Sequence, residues 1–228
     1  MPISLDGVRL APASGTADAL VVVIHGYGAD GNDLIGLGAE WRALLPGAAF
    51  VAPHAPEPCV EAGMGRQWFF IDRSDPAARW RGANAAGPIL DHFLDQELAR
   101  TGVEPQRLVL VGFSQGAMMA LHVGLRRAVA PAAIVAYSGM VIGPEHLATE
   151  ITCAPPVLLV HGDADPVVPF ESLAAARNAL AAAGVPCQWH VAAGVGHGID
   201  AVGLQRGGAF IAAALGAGAA AAAAPSQG

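Results

Sequence analysis

Five residues in the middle of the chain carry the spacing of a reactive serine: Gly112-Phe113-Ser114-Gln115-Gly116. The G-x-S-x-G pattern is that of a nucleophile elbow, a strained turn that thrusts a hydroxyl out at the end of a sheet. Its flanks suit that geometry. Leu108-Val109-Leu110-Val111 reads as a buried strand, and Ala117-Met118-Met119-Ala120-Leu121 as a helix. Glycine at 112 and 116 removes the Cβ atoms that would crowd such a turn. A serine that only caps a helix gives the same local pattern, so the other groups that hydrolysis needs must be sought elsewhere.

Serine hydrolysis needs an acid, a base and donors for an oxyanion. In an elbow-type sheet the acid follows the serine in sequence, and the histidine follows the acid. After the apolar run Val157-Leu158-Leu159-Val160 comes His161-Gly162-Asp163-Ala164-Asp165-Pro166-Val167-Val168-Pro169. Asp163 and Asp165 are both available, although capping a turn is the commoner fate of a loop aspartate. Asp165 is favoured, because Pro166 holds it extended and within reach of the next loop. That loop, Gly194-Val195-Gly196-His197-Gly198, carries His197 between glycines, a poor setting for a packing histidine and a good one for a base. His190 lies inside a strand. His25 and His161 each end a strand as His-Gly and read as organisers of their loops. His54, His92, His122 and His146 have no spaced partners. The oxyanion donors should be backbone N–H groups: that of Gln115, and that of Tyr27 in the glycine-rich loop His25-Gly26-Tyr27-Gly28-Ala29-Asp30-Gly31.

These groups must be positioned by a sheet. Buried strands are expected at 20–24, 49–52, 108–111, 133–137 and 157–160, with a shorter one at 188–191, and residues 3–10 suggest a small edge hairpin. Helices are expected from 32 or 33 to 45, from about 84 to Thr101 with Gly102 as terminator, after Gly116, from 170 to 183, and from 199 to about 215. Strands alternating with helices imply a mostly parallel sheet covered on both faces. Residues 57–80 form a long connection rich in Pro, Gly and aromatics, the kind of segment that often carries function. Pocket walls are sought among Met64, Trp68, Phe69, Met140, Val168 and Phe170, for each of which ordinary packing is the plainer role.

Composition removes other classes. The 228 residues suffice for one α/β domain. A net charge of -7, with no basic tract, argues against nucleic acid or an anionic membrane surface as partner. The mean hydropathy of +0.45 reflects alanine. The charge-free stretch Ala209–Ala224 is too short and too Ala/Gly-rich for a membrane anchor. Three scattered cysteines make no disulfide framework, and the first residues lack the pattern of a signal peptide, so a cytoplasmic protein is expected. No HExxH or paired Cys/His pattern calls for a metal, and no P-loop or GxGxxG fingerprint calls for a nucleotide. No cofactor is expected.

Six segments in this order resemble the phospholipase/carboxylesterase family of α/β-hydrolases: His25–Gly31, Pro53-His54-Ala55-Pro56, Gly65–Asp72, Gly112–Gly116, His161–Pro169 and Gly196-His197. The family includes small bacterial carboxylesterases and acyl-protein thioesterases. The resemblance implies a single-domain α/β-hydrolase fold without a large lid, over residues 1–215, with 216–228 as an Ala/Gly-rich tail. It implies Ser114 as nucleophile, Asp165 as acid and His197 as base, and Tyr27 and Gln115 as the oxyanion hole. Small carboxylic esters of short to medium acyl chain become the expected substrates, for a monomer or homodimer. Acyl-protein thioesters and lysophospholipids are the alternatives within hydrolysis. A non-catalytic binding protein of this fold is the alternative outside it. Trp68-Phe69-Phe70-Ile71-Asp72 is one residue longer than the family's usual form, and the tail has no counterpart there.

Overall fold

The structure is a computed structural model that describes residues 4–72, 74–75 and 77–222, with side chains to residue 216. Seven strands make one sheet in the order β1-β3-β2-β6-β7-β8-β9. These are β1 (Gly7–Leu10), β2 (Ala19–Ile24), β3 (Ala48–Pro53), β6 (Leu108–Phe113), β7 (Ala133–Tyr137), β8 (Val157–Gly162) and β9 (Cys187–Ala192). A two-stranded pair, β4 (Glu57–Pro58) and β5 (Arg66–Gln67), stands apart from them. All neighbours in the main sheet run parallel except β1, which pairs antiparallel with β3. The expected edge hairpin within 3–10 is therefore replaced by a single strand laid along β3. Asp6 accepts the His54 N–H at 2.8 Å beyond its end. Ile3 lies outside the described residues.

β2, β3, β6, β7 and β8 are buried along most or all of their length, which is why each reads as a continuous apolar run rather than an alternating one. One core forms under α3 (Ala78–Thr101), α4 (Gln115–Gly124), α5 (Pro144–Glu150) and α6 (Glu171–Ala182), around Leu90, Phe93, Leu110 and Met119. The other forms under α1 (Gly31–Leu34), α2 (Gly36–Trp41) and α7 (Ala201–Ala222), around Trp41, Phe50, Val111 and Tyr137.

Four helices depart from expectation. The one sought over 32/33–45 is two short pieces, and Gly38 lies so close to the Phe50 ring that a Cβ would stand 2.8 Å from it. α3 begins at Ala78, six residues early, and tolerates Pro88 inside it; Gly102 ends it at φ 71°, as expected. α5 had no periodic signal in its seven residues. The last helix starts at Ala201, with Asp200 accepting the Gly203 N–H, and continues to Ala222. Among the described residues no helix is long and apolar enough to cross a membrane.

The strand order has a consequence for function. From β2 the chain steps outward to β3, then returns across β2 to β6 and proceeds the other way. The reversal leaves a crevice at the carboxyl ends of β2 and β6, where open α/β sheets place their ligands. The glycine-rich loop leaves β2 there, and Ser114 leaves β6 there.

Candidate active site

Ser114 follows β6 directly and precedes the first residue of α4, with φ 54° and ψ −118°. Only Ser138 shares a positive φ among the described non-glycine residues. Such a conformation is held by its surroundings. Ser114 N–H donates to Tyr137 O at 2.9 Å, and Ser114 O accepts from Ala117 N and Met118 N. The glycines are required by distance. A Cβ on Gly116 would lie 1.9 Å from Ile24 O, and one on Gly112 2.3 Å from Gly116 O. The Ser114 side chain makes no hydrogen bond among the described residues and is 8% exposed.

Asp165 and His197 meet. His197 Nδ1 lies 2.7 Å from Asp165 Oδ2. The other carboxylate oxygen accepts the Val167 and Val168 N–H groups at 2.8 and 2.9 Å. Burial alone would raise the Asp165 pKa, but the His197 contact and these two N–H groups outweigh it and hold the carboxyl below its usual range. His197 packs its ring on Phe113, the residue before Ser114, with centroids 4.8 Å apart. Its Nε2 has no hydrogen-bond partner among the described residues and is the ring nitrogen left for a reacting hydroxyl.

Asp163 has another task. Its Oδ1 accepts the Gly194 N–H at 2.6 Å, while Ala164 N donates to Val195 O at 3.1 Å. The aspartate loop and the histidine loop are thus joined along their backbones, and Asp163 braces the loop that carries His197.

On the opposite wall, Gly26 lies against the elbow, where a Cβ would be 3.2 Å from Ser114 Cβ. Gln115 opens α4, so its N–H has no carbonyl one turn back. The Tyr27 N–H has no backbone partner among the described residues either. The loop around Tyr27 is held from several sides. Arg66 pairs through its backbone with both Gly28 and Ala29. His25 is fully buried, its Nε2 accepting the Ala55 N–H at 3.0 Å and its Nδ1 facing Gly26 O at 2.7 Å. That arrangement fixes a neutral tautomer with the proton on Nδ1, in keeping with a pKa lowered mainly by burial.

The Gln115 side chain was not legible as functional. It donates to Phe69 O at 2.7 Å and accepts Trp68 N–H at 2.9 Å, while Trp68 Nε1 donates to His25 O at 3.0 Å. The Gln115 amide thus ties the elbow to the connection that carries Trp68 and Phe69, and Trp68 ties that connection to the glycine loop. No sequence signal marks this role, because it depends on which backbone groups the long connection brings beside α4. The expected wall residues disperse. Trp68 and Phe69 are buried, and line a cavity of about 370 Å³ against Gly82 and Ile89 of α3. Met140 lines another of about 330 Å³ beside Trp80. Val168 is in the core and Phe170 stands edge-on to His161, while Met64 is 73% exposed on the β4–β5 turn. Neither cavity is lined by Ser114 or His197. Among the described residues no cluster of three or more His, Cys, Asp or Glu is arranged to hold a metal ion.

Residues 6–215 match the family model described as phospholipase/carboxylesterase. The chain belongs to that family. Among the family's relatives, acyl-protein thioesterase 1 of Gibberella zeae is 30% identical over 202 residues, covering 82% of this chain and 86% of its own. The esterase YpfH of Escherichia coli is 28% identical over 190 residues, covering 83% and 80%. The crystal structure of esterase PE8 superposes with a TM-score of 0.89 at 46% identity, over 92% of this chain and 98% of that one. With its single α/β-hydrolase domain, the protein is a carboxylesterase-type serine hydrolase.

Proposed function

We propose that this esterase cleaves small soluble carboxylic esters of short to medium acyl chain through Ser114, His197 and Asp165. The observation that carries the reading is the 2.7 Å contact between His197 Nδ1 and Asp165 Oδ2, made by two loops that open beside the strained serine. His197 Nε2 takes the proton of Ser114 Oγ as that oxygen attacks the ester carbonyl. Asp165 fixes the tautomer and stabilises the imidazolium. The Tyr27 and Gln115 N–H groups hold the oxyanion, each such donor typically contributing about 10²–10³ in rate. The imidazolium then protonates the leaving alcohol. Water, activated by the same nitrogen, hydrolyses the acyl-enzyme. In this reading residues 1–215 do the chemistry as a monomer or homodimer, and 216–228 stand outside it. Three free cysteines suit a reducing cytoplasm.

Thioester and lysophospholipid cleavage through the same groups is the second reading, favoured by relatives named acyl-protein thioesterase. Among its described residues the connection between β3 and α3 carries only the short β4–β5 pair, which favours small esters over substrates that need a large lid. A kcat/KM panel separates the readings. Higher values on acetyl to octanoyl esters than on a palmitoylated peptide support the first; the reverse order selects the second. A non-catalytic binder turns over neither.

A further inference from the structure

His161 is the penultimate residue of β8 and has no part in the proposed reaction. It is 2% exposed. Strand register sets it beside Val191 of β9, and Ser138 N–H donates to Val160 O on its other side, so it stands at the carboxyl end of the sheet with the other reacting groups. Its Nε2 faces two oxygens, Val168 O at 3.0 Å and Asp165 Oδ2 at 3.5 Å. Both can only accept, so Nε2 carries the proton. Asp165 Oδ2 is the same atom that meets His197 Nδ1 at 2.7 Å. Two imidazoles therefore converge on one carboxylate oxygen whose side chain is wholly shielded from solvent.

Val168 links the two ends of this arrangement. Its N–H donates to Asp165 Oδ1, and its carbonyl faces His161 Nε2. The Val167 and Val168 N–H groups anchor Oδ1 but leave the carboxylate free to pivot about that oxygen. A donor behind Oδ2 restricts the pivot. The His161 ring is itself steadied edge-on by Phe170, with centroids 6.3 Å apart.

We propose that His161 is a positioning residue for Asp165. Its Nε2–H holds the Val168 carbonyl and backs Oδ2, which keeps that oxygen aimed at His197. The proposal rests on the triad reading, in which Asp165 orients His197, and it adds an imidazole donor behind the acid.

The test compares the full chain with its His161→Gln, His161→Asn and His161→Leu variants. Gln carries an amide N–H at about the reach of Nε2, Asn falls short of it, and Leu has no donor. Two quantities are read: steady-state kcat and KM on a short acyl ester, and the downfield proton resonance of His197 Nδ1–H, which reports its bond to Asp165 without any turnover. His161→Leu should lower kcat by about 10–100-fold with KM within roughly threefold, the scale of a misplacement near 1 Å. It should also move the resonance upfield. His161→Gln should keep the resonance and hold kcat within about fivefold of the parent. If His161→Leu does not fold, the same contrast is read between His161→Gln and His161→Asn. An unmoved resonance in the donor-free variant, or Gln faring no better than Leu or Asn, overturns the proposal. Failure of the triad reading looks different: Asp165→Asn would then leave kcat near the parental value.

Discussion

The crevice between β2 and β6 and the strap of residues 55–72 face each other, and they are built differently. In the crevice, the candidate nucleophile and acid are set by short spans of chain and by backbone contacts. The elbow is fixed by two glycines and the Tyr137 carbonyl. The acid is fixed by two N–H groups three residues or fewer away. The strap has little secondary structure beyond β4 and β5. It is held mainly from outside, through the Gln115 amide, the Gly28 and Ala29 backbone and the His25 carbonyl. Its tip is exposed, with Val60 82% and Met64 73% accessible. In the proposed reading the crevice does the chemistry and the facing segment bears on the choice of acyl group.

Substitutions can break this division, and the largest effect belongs to the crevice. Ser114→Ala should remove ester hydrolysis by roughly 10⁶-fold, while the circular dichroism spectrum and Tm stay near parental values. Turnover that survived would move the nucleophile elsewhere. Asp165→Asn should lower kcat by about 10³–10⁴-fold. Asp163→Asn, two residues away, removes only a brace and should lower kcat by less than about tenfold. Equal losses at the two positions would end the distinction drawn between them.

Gln115→Ala tests the join between the two walls. It strands Trp68 N–H and Phe69 O in places only 1% and 4% exposed. Two such groups cost about 2–4 kcal/mol, or a Tm lowered by about 5–15 °C. Smaller still should be Met64→Ala at the strap's tip. It should change the ratio of kcat/KM between butyryl and octanoyl esters by less than about tenfold, with acetyl esters unaffected. A uniform loss on all esters would put Met64 in the machinery.

The pH dependence separates stability from reaction. Asp165 has a depressed pKa, so its stabilising contribution is complete above its unfolded value, near 4, and is lost only as pH falls through the lower folded value. It should set no limb of the rate profile between pH 5 and 9. His25 and His122 are buried bases with lowered pKa values. Burial brings His122 to about 4, and the nearby Arg126 charge adds to that. Between the unfolded value of about 6.5 and the folded one, the unfolded chain binds the extra proton, so stability falls as pH falls. His122 alone should account for on the order of 3 kcal/mol between pH 6.5 and 4. His122→Phe should flatten that part of a Tm–pH curve.

Legibility in the sequence followed the same division. The strands were readable because they are buried on both faces and so apolar throughout. Ser114 and Asp165, the candidate nucleophile and acid, were readable because each sits just past such a strand, and the candidate base His197 because glycines flank it after the more exposed β9. Asp165 could be ranked above Asp163 as the acid, but the bracing contact of Asp163 was hidden, since it joins loops 31 residues apart. The crossover from β3 to α3 resisted reading because its order comes from contacts with α4 and the glycine loop rather than from its own pattern. The split of α1 from α2 falls at Ile35, which keeps helical dihedrals, so nothing in that residue type marked the break. The second imidazole on Asp165 was hidden too. His161 looked like any His-Gly at a strand end, and its two acceptors lie in a loop whose shape no local spacing reveals.

The central claim is that Ser114 is the activated nucleophile of this fold. A fluorophosphonate ester, followed by peptide mass spectrometry of the full chain, tests it most directly. A single covalent adduct on Ser114 is expected, forming in step with loss of esterase activity and more slowly in His197→Ala. An adduct on another serine that tracks inactivation, or full activity after stoichiometric labelling of Ser114, contradicts it.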